Sequence, residues 1–124
     1  MAKRSKEDPR LTRLTKICLA LPETTRQTHG AHAGFQVRKK SFAWFLNDHH
    51  GDGIVGMCCK VIAGDNTALA AAQPDRFYIP AYVGSRGWVG LRLDRGKIDW
   101  EEVAELIHGS YRLTAPKRLA ALVK

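Results

Sequence analysis

The chain has 124 residues, of which 44% are hydrophobic, and both values suit one folded domain with a single core. Lysine and arginine outnumber aspartate and glutamate by 20 to 12, which gives a formal net charge of +8. The apolar runs are too short to span a membrane, and no apolar segment that fits a signal peptide follows the charged start, MAKRSKEDPR. We therefore expect a cytoplasmic, single-domain protein over residues 1–124, with a basic tail over 1–8 and no membrane partner.

The basic charge is concentrated in separate segments. Residues 1–20 carry six cations against two carboxylates, and residues 76–97 carry five against one. The triplet Arg38-Lys39-Lys40 lies between them, whereas residues 99–105 are acidic. This segregation favours an anionic partner such as nucleic acid, although a role in solubility is the alternative.

The first half of the chain predicts a helix followed by strands. Asp8 and Pro9 are typical of a helix start, and Pro22 ends it. Residues 24–29, 35–37 and 41–46 read as strands. The turn at Arg38-Lys39-Lys40 lacks the glycine of a tight hairpin, so we expect a longer or bulged connection with exposed basic side chains. The apolar stripe of the helix comprises Leu11, Leu14, Ile17, Cys18 and Leu21.

The segment DHHGDG (48–53) offers Asp48, His49, His50 and Asp52 as metal ligands. Their spacing is not that of a known zinc site, and a polar turn explains the composition equally well. We expect no metal and no other cofactor. The three cysteines, Cys18, Cys58 and Cys59, are odd in number, so they read as buried or half-buried apolar residues rather than as a disulfide framework.

The second half predicts further strands and helices. Residues 54–61, 77–79 and 88–93 read as extended, and Asp65 is expected to cap a helix over 66–73. Asp99 and Glu102 form a capping-box pattern for a helix to about Tyr111. The inward residues of that helix are Val103, Leu106, Ile107 and Tyr111, and a last short helix near Thr114 and Pro116 carries Leu119 and Leu122. The chain as a whole predicts an α+β fold: an antiparallel β-sheet meander with N-terminal, middle and C-terminal helices packed on it.

The strand at 88–93 has two different faces, because side chains alternate along a strand. Val89, Leu91 and Leu93 form a core face, while Trp88 and Arg92 point the other way. If this strand neighbours the one that carries Lys60, Lys60 and Arg92 flank one groove with Trp88 as its floor. The alternative is that Trp88 packs beneath a helix and that acidic residues of 99–105 hold both cations.

No pattern in the sequence supports catalysis. The four serines lack a nucleophile-elbow context, and the histidines are scattered. Gly84, Gly87 and Gly90 lead into a strand rather than a helix, which is the wrong context for a phosphate-binding loop. We therefore expect that the protein is not an enzyme.

Several stretches resemble the MmcQ/YjbR-like family of small bacterial proteins. The second half carries Phe77 to Leu93 (FYIPAYVGSRGWVGLRL), then DWEEV from Asp99, SYRL from Ser110 and APKR from Ala115. The first half carries CLALPE from Cys18 and KSFA from Lys40, and Lys60 matches a recurrent lysine at a strand end. Ser85 and Lys39 depart from the pattern, since many relatives have a histidine or lysine at the first position and glycine at the second.

The resemblance implies a secretion-chaperone-like, or double-wing, α+β fold and a DNA-binding function. The candidate nucleic-acid-binding residues are Arg38, Lys39, Lys40, Lys60, Arg86, Trp88 and Arg92. The expected partner is DNA. The alternative is a protein-interaction or chaperone-like module that binds another protein or a second copy of the chain through Tyr78, Tyr82 and Trp88.

Overall fold

The computed structural model describes residues 7–81 and 83–123, and the helices and strands in those ranges form an α+β arrangement. The helices are α1 (Pro9–Leu19), α2 (Asp65–Ala72), α3 (Trp100–Thr114) and α4 (Lys117–Ala120). The strands are β1 (Thr24–His29), β2 (His32–Val37), β3 (Lys40–Asn47), β4 (Val55–Lys60), β5 (Phe77–Tyr78) and β6 (Trp88–Arg92). No helix in the described ranges has the length and apolar character needed to cross a bilayer.

The strands form one antiparallel sheet in the order β1-β2-β3-β4-β6-β5. The first four strands make the predicted meander. The chain then crosses over, so that β6 pairs with β4 and the short β5 lies at the edge. The predicted α+β fold with an antiparallel sheet is confirmed, and β6 is the direct neighbour of β4, as the groove hypothesis requires.

Helices α1 and α3 cover one face of the sheet. Asp8 caps α1 by accepting a hydrogen bond from the Arg10 N–H (2.9 Å). Asp99 caps α3 by accepting from the Glu101 and Glu102 N–H groups. The carboxylate of Glu102 pairs with Arg76 rather than completing the capping box. The core between helices and sheet includes Leu14, Cys18, Phe35, Phe45, Met57, Val89, Leu91, Val103, Ile107 and Tyr111.

Two residues of the SYRL stretch fasten α3 to the sheet. The buried Ser110 hydroxyl donates to the Phe42 carbonyl (2.6 Å) and accepts from the Lys60 N–H (2.9 Å). The Tyr111 hydroxyl donates to the Pro22 carbonyl (2.7 Å), and its ring meets Phe42 edge-on. Part of the family-like pattern therefore has a structural explanation.

The β2–β3 hairpin differs from the expected longer connection. Val37 pairs with Lys40, so only Arg38 and Lys39 form the turn. Both have positive φ values, +49° and +67°, a pairing typical of the mirror-image turn that joins antiparallel strands tightly. The bulge lies inside the ladder instead, where the register shifts between Phe35 and Gln36.

Two predicted helix features are wrong in detail. Asp65 lies within the first turn of α2, and the cap is Gly64, whose φ is +92°. The last helix was expected to carry Leu119 and Leu122, but α4 ends at Ala120, so it includes the buried Leu119 and not the exposed Leu122. Both predicted helices are present, and the differences lie at their ends, which a sequence pattern locates least accurately.

The three cysteines are buried as predicted, and the segment DHHGDG forms a polar turn. All three cysteines are free and buried, and burial raises the pKa of the Cys58 thiol to about 11. Asp48 accepts a hydrogen bond from the Gly53 N–H, and Asp52 accepts one from the Ile54 N–H. These carboxylates therefore organise a polar turn.

Candidate nucleic-acid interface and open-face groove

The β4–β6 ladder separates two of the predicted site residues. Lys60 lies opposite Trp88, and Arg92 lies opposite Gly56. The two cations are therefore at opposite ends of the ladder, roughly 13 Å apart along the strands at about 3.4 Å per residue. They do not converge on one ligand-sized position.

Arg92 is neutralised by a carboxylate two residues away. Its Nε and Nη2 donate to the two oxygens of Asp94 at 2.9 and 3.0 Å, and Asp94 also accepts from the Val55 N–H. This pairing raises the pKa of Arg92 and lowers that of Asp94. The alternative in which the acidic helix α3 holds Arg92 is wrong. That helix does pair with an arginine through Glu102, but the arginine is Arg76.

Lys60 belongs to a different surface. It is half-buried and lines a cleft of about 270 Å³ between the end of β4 and α3, together with Ile62, Glu105, Leu106 and Arg112. Arg86 is exposed at the end of the short turn Gly84–Arg86. Lys60 therefore lies level with Phe42, two residues along the strand from Lys40, with its side chain in the cleft beside α3, and Arg86 lies at the turn before β6.

Trp88 is buried, with 8% of its surface exposed. Its neighbours Val89 and Leu91 point into the core, so alternation places Trp88 on the face opposite α1 and α3. The buried amide of Asn66 donates to the Trp88 carbonyl (3.1 Å) and to the Gly84 carbonyl (2.9 Å), which fixes the start of β6 against α2. Trp88 is therefore buried on the face away from α1 and α3, beside α2.

The hairpin tip keeps its three predicted cations on the surface and gains further ones from α4. Arg38 pairs with Glu23 through its Nε (2.6 Å), and Arg118 approaches the other oxygen of Glu23 at 3.6 Å. These contacts bring the tip and the start of α4 together around a single carboxylate. The exposed cations of this surface, here called the basic corner, are Arg38, Lys39, Lys40, Lys117 and Arg118.

Glu23 cannot neutralise the basic corner. Its pKa is lowered by the hydrogen bond from Arg38, so it stays charged, but two arginines share it. Within residues 7–81 and 83–123, no carboxylate forms an ion pair with Lys39, Lys40 or Lys117. Glu23, Lys117 and Arg118 were not predicted to belong to this surface. The basic pair after Pro116 was the sequence signal that could have indicated it.

The face of the sheet opposite α1 and α3 carries a groove of about 650 Å³, here called the open-face groove. Trp44 and Tyr78 lie on either side of Cys58, because Trp44 pairs with Cys58, Cys58 with Gly90 and Gly90 with Tyr78 across the sheet. The described residues that line it are His29, His32, Trp44, Leu46, His49, Asp52, Cys58, Tyr78, Pro80, Ala81, Val83 and Trp88. Tyr82, expected to make apolar contacts, lies outside the described residues.

Two glycines seat the aromatic rings of this groove. A β-carbon at Gly34 would lie 2.8–3.0 Å from three atoms of the Trp44 ring, and one at Gly90 would lie 2.3–2.6 Å from three atoms of the Tyr78 ring. Such near-equal distances mean that each ring lies with one face on its glycine. The Tyr78 hydroxyl is 3.7 Å from Cys58 Sγ, and burial raises the pKa of Tyr78.

Comparison with known proteins agrees with this architecture. The chain matches no curated protein. A crystal structure of Deinococcus radiodurans protein DR2400, whose domain is described as DUF419, is similar with a TM-score of 0.66 and 25% sequence identity. The similarity covers 87% of this chain and 81% of that one. Residues 19–113 match the model of the family described as YjbR, and the chain therefore belongs to the YjbR family.

Proposed function

We propose that the chain is a non-catalytic protein that binds the phosphate backbone of DNA through the basic corner. The observation that carries the proposal is that Arg38 and Arg118 share one carboxylate, Glu23. This contact joins the hairpin tip, with Lys39 and Lys40, to the start of α4, with Lys117. Lysine and arginine side chains that contact phosphates release condensed counterions, and this release supplies most of non-specific affinity.

The geometry of the hairpin supports contact with a duplex. A tight two-residue turn projects Arg38 and Lys39 at the end of two paired strands, and Lys40 follows directly. All three are exposed, so contact with phosphate requires little rearrangement. The tip then acts as a wing-like element, with α4 beside it.

The proposal assigns no direct DNA contact to Lys60, Trp88 or Arg92. Arg92 is engaged by Asp94, Trp88 is buried, and Lys60 lies in another cleft. The interface proposed from the sequence therefore reduces to its hairpin part, extended by α4.

Fluorescence anisotropy with a labelled duplex of about 20 base pairs, from 50 to 300 mM salt, tests the proposal. Contact with three to four phosphates predicts that the logarithm of the affinity falls against the logarithm of salt with a slope of about −3 to −4. A flat salt titration, or no binding at 50 mM salt, would remove DNA as the partner.

Two double variants distinguish the effect of charges in the basic corner from the effect of net charge alone. Lys39→Asn with Lys40→Gln removes two corner charges and keeps a residue that tolerates the positive φ at position 39. Arg95→Gln with Lys97→Gln removes two exposed charges near the start of α3, about 20 Å away along that helix. The first pair of substitutions should make the salt slope less negative by about two, and the second pair should leave the slope unchanged. Equal losses in both would mean that only net charge matters.

A second candidate function, protein interaction, is favoured by a different observation. Ile62 and Leu113 are 65% and 45% exposed and line the same cleft as Leu106. Exposed apolar side chains that share a cleft are typical of a contact surface. Sedimentation equilibrium of the wild type and of Ile62→Ser with Leu113→Ser tests self-association: a dimer that the variant abolishes, insensitive to salt, favours this candidate.

A further inference from the structure

The open-face groove presents the π faces of two rings to a ligand. Trp44 and Tyr78 both line it, and each rests its other face on a glycine. The faces turned away from Gly34 and Gly90 are directed away from the sheet, and the His29 ring stands beside that of Trp44, with 5.9 Å between the ring centroids. An aromatic face carries the negative part of the ring's quadrupole, which attracts cations.

The charges of the residues that line the groove also favour a cation. Among the described residues that line the groove, the carboxylate is that of the exposed Asp52, three are histidines (His29, His32 and His49), and none is lysine or arginine. This is a marked local exception in a chain whose net charge is +8. Arg92 interacts electrostatically with Asp52 and Tyr78 from outside this lining, but Asp94 pairs with it. With the histidines neutral, Asp52 is the formal charge of the described lining, and it complements a cation, the reverse of the basic corner.

Size and shape suit a small molecule. The volume of about 650 Å³ lies within the usual range of small-molecule sites, about 300–1,000 Å³. Leu46, Pro80 and Val83 add apolar surface beside the rings. A ligand that combines positive charge with alkyl groups would satisfy both the rings and this apolar lining.

We propose that the open-face groove binds an organic cation, an alkylated ammonium group, which lies against the Trp44 and Tyr78 rings with Asp52 at the rim. This site is separate from the basic corner and does not depend on DNA binding. Its occupant is defined by charge and alkylation together, because either property alone would use only part of the lining.

Choline and its neutral isostere 3,3-dimethylbutan-1-ol test the proposal, because they share shape and differ in charge. Binding of each is measured by NMR titration of the full chain. A cation–π contribution of about 1 kcal/mol predicts that choline binds at least about fivefold more tightly than the alcohol. Equal or tighter binding of the alcohol, or no choline binding at 20 mM, would overturn the proposal.

Two variants locate the effect. Trp44→Leu keeps apolar bulk but removes the π face, so choline should bind at least about fivefold more weakly while the alcohol changes less than twofold. Trp100→Leu is the matched control, since the Trp100 ring lies under Arg13, outside the groove, and should leave choline binding unchanged. Equal effects of the two substitutions would contradict the site.

Asp52→Asn provides a variant that should fold in any case, because the side chain is exposed and an amide oxygen can still accept from the Ile54 N–H. We expect it to weaken choline binding about two- to threefold without changing the alcohol. If instead the groove is the contact between two copies of the chain, choline will not bind and Trp44→Leu will dissociate a dimer in sedimentation, which overturns the proposal.

Discussion

The ring of Tyr78 lies flat over its cross-strand partner Gly90, and a β-carbon at Gly90 would stand 2.3 Å from Tyr78 Cζ. Glycine is needed here because of a neighbouring side chain, not because of its own backbone, since Gly90 has no positive φ. The pair forms one wall of the open-face groove.

Gly90→Ala should lower the free energy of unfolding by about 1–3 kcal/mol, the usual cost of overfilling a packed site. The same substitution in a Tyr78→Ala background should cost less than about 0.5 kcal/mol, because the ring that it meets is gone. Urea unfolding of the four chains of this double-mutant cycle measures the coupling. Equal costs in both backgrounds would mean that Tyr78 does not rest on Gly90.

The hairpin turn is strained by its side chains. Lys39 has a φ of +67°, where a β-carbon is unfavourable and glycine is not. Lys39→Gly should therefore raise the free energy of unfolding by about 0.5–1 kcal/mol while weakening DNA binding. Chemical denaturation and anisotropy on the same preparation check both effects. Destabilisation by glycine would show that the turn is not the tight mirror-image type.

The Ser110 hydroxyl bridges two backbone groups, the Lys60 N–H and the Phe42 carbonyl. Ser110→Ala leaves the Lys60 N–H and the Phe42 carbonyl without the hydroxyl, and we expect a loss of about 2 kcal/mol. Ser85→Ala, at an exposed position, is the control and should change stability by less than about 0.5 kcal/mol. Similar values for both variants would rule out the bridging role.

The Arg92–Asp94 pair should make stability depend on pH in acid. The folded-state pKa of Asp94 is lowered from its ordinary 3.8, so the pair stabilises the fold fully above about pH 4 and progressively less as the pH falls through the folded value. At pH 7, Asp94→Asn should cost about 1–2 kcal/mol. The difference from wild type should shrink below about pH 4.

Thermal unfolding between pH 2.5 and 7 measures this difference. Asp75→Asn, at an exposed position, is the charge-matched control and should track the wild type across the range. A difference for Asp94→Asn that stays constant down to pH 2.5 would assign its effect to something other than the ion pair.

The elements of this fold could be predicted because their signals are local. Asp8 with Pro9, and Asp99 with the stripe of α3, mark helices within a few residues of sequence. Alternation in β6 correctly placed Val89 and Leu91 in the core. Each of these signals depends on neighbours along the chain, which a single sequence displays in full.

The site was harder to predict because its contacts join distant segments. Glu23, Arg38 and Arg118 meet only in the folded chain, and no local pattern links them. The exposure of Trp88 likewise depended on how β6 inserts beside β4. The Arg92–Asp94 pair is different, since two residues at a spacing of two lie on one face of an extended segment, and the sequence could have revealed it.

The Ser110 bridge also bears on how the chain is made. Its partners precede it by 68 and 50 residues, so a nascent chain can emerge with every strand complete and still lack the hydroxyl that joins the two central ones to α3. Until α3 follows, the part of the apolar side of the sheet that α3 covers is exposed, and such intermediates present surface on which other chains aggregate. We therefore expect a fragment that stops after β6 to be recovered as insoluble material and the full chain to fold only once its last helices have left the ribosome.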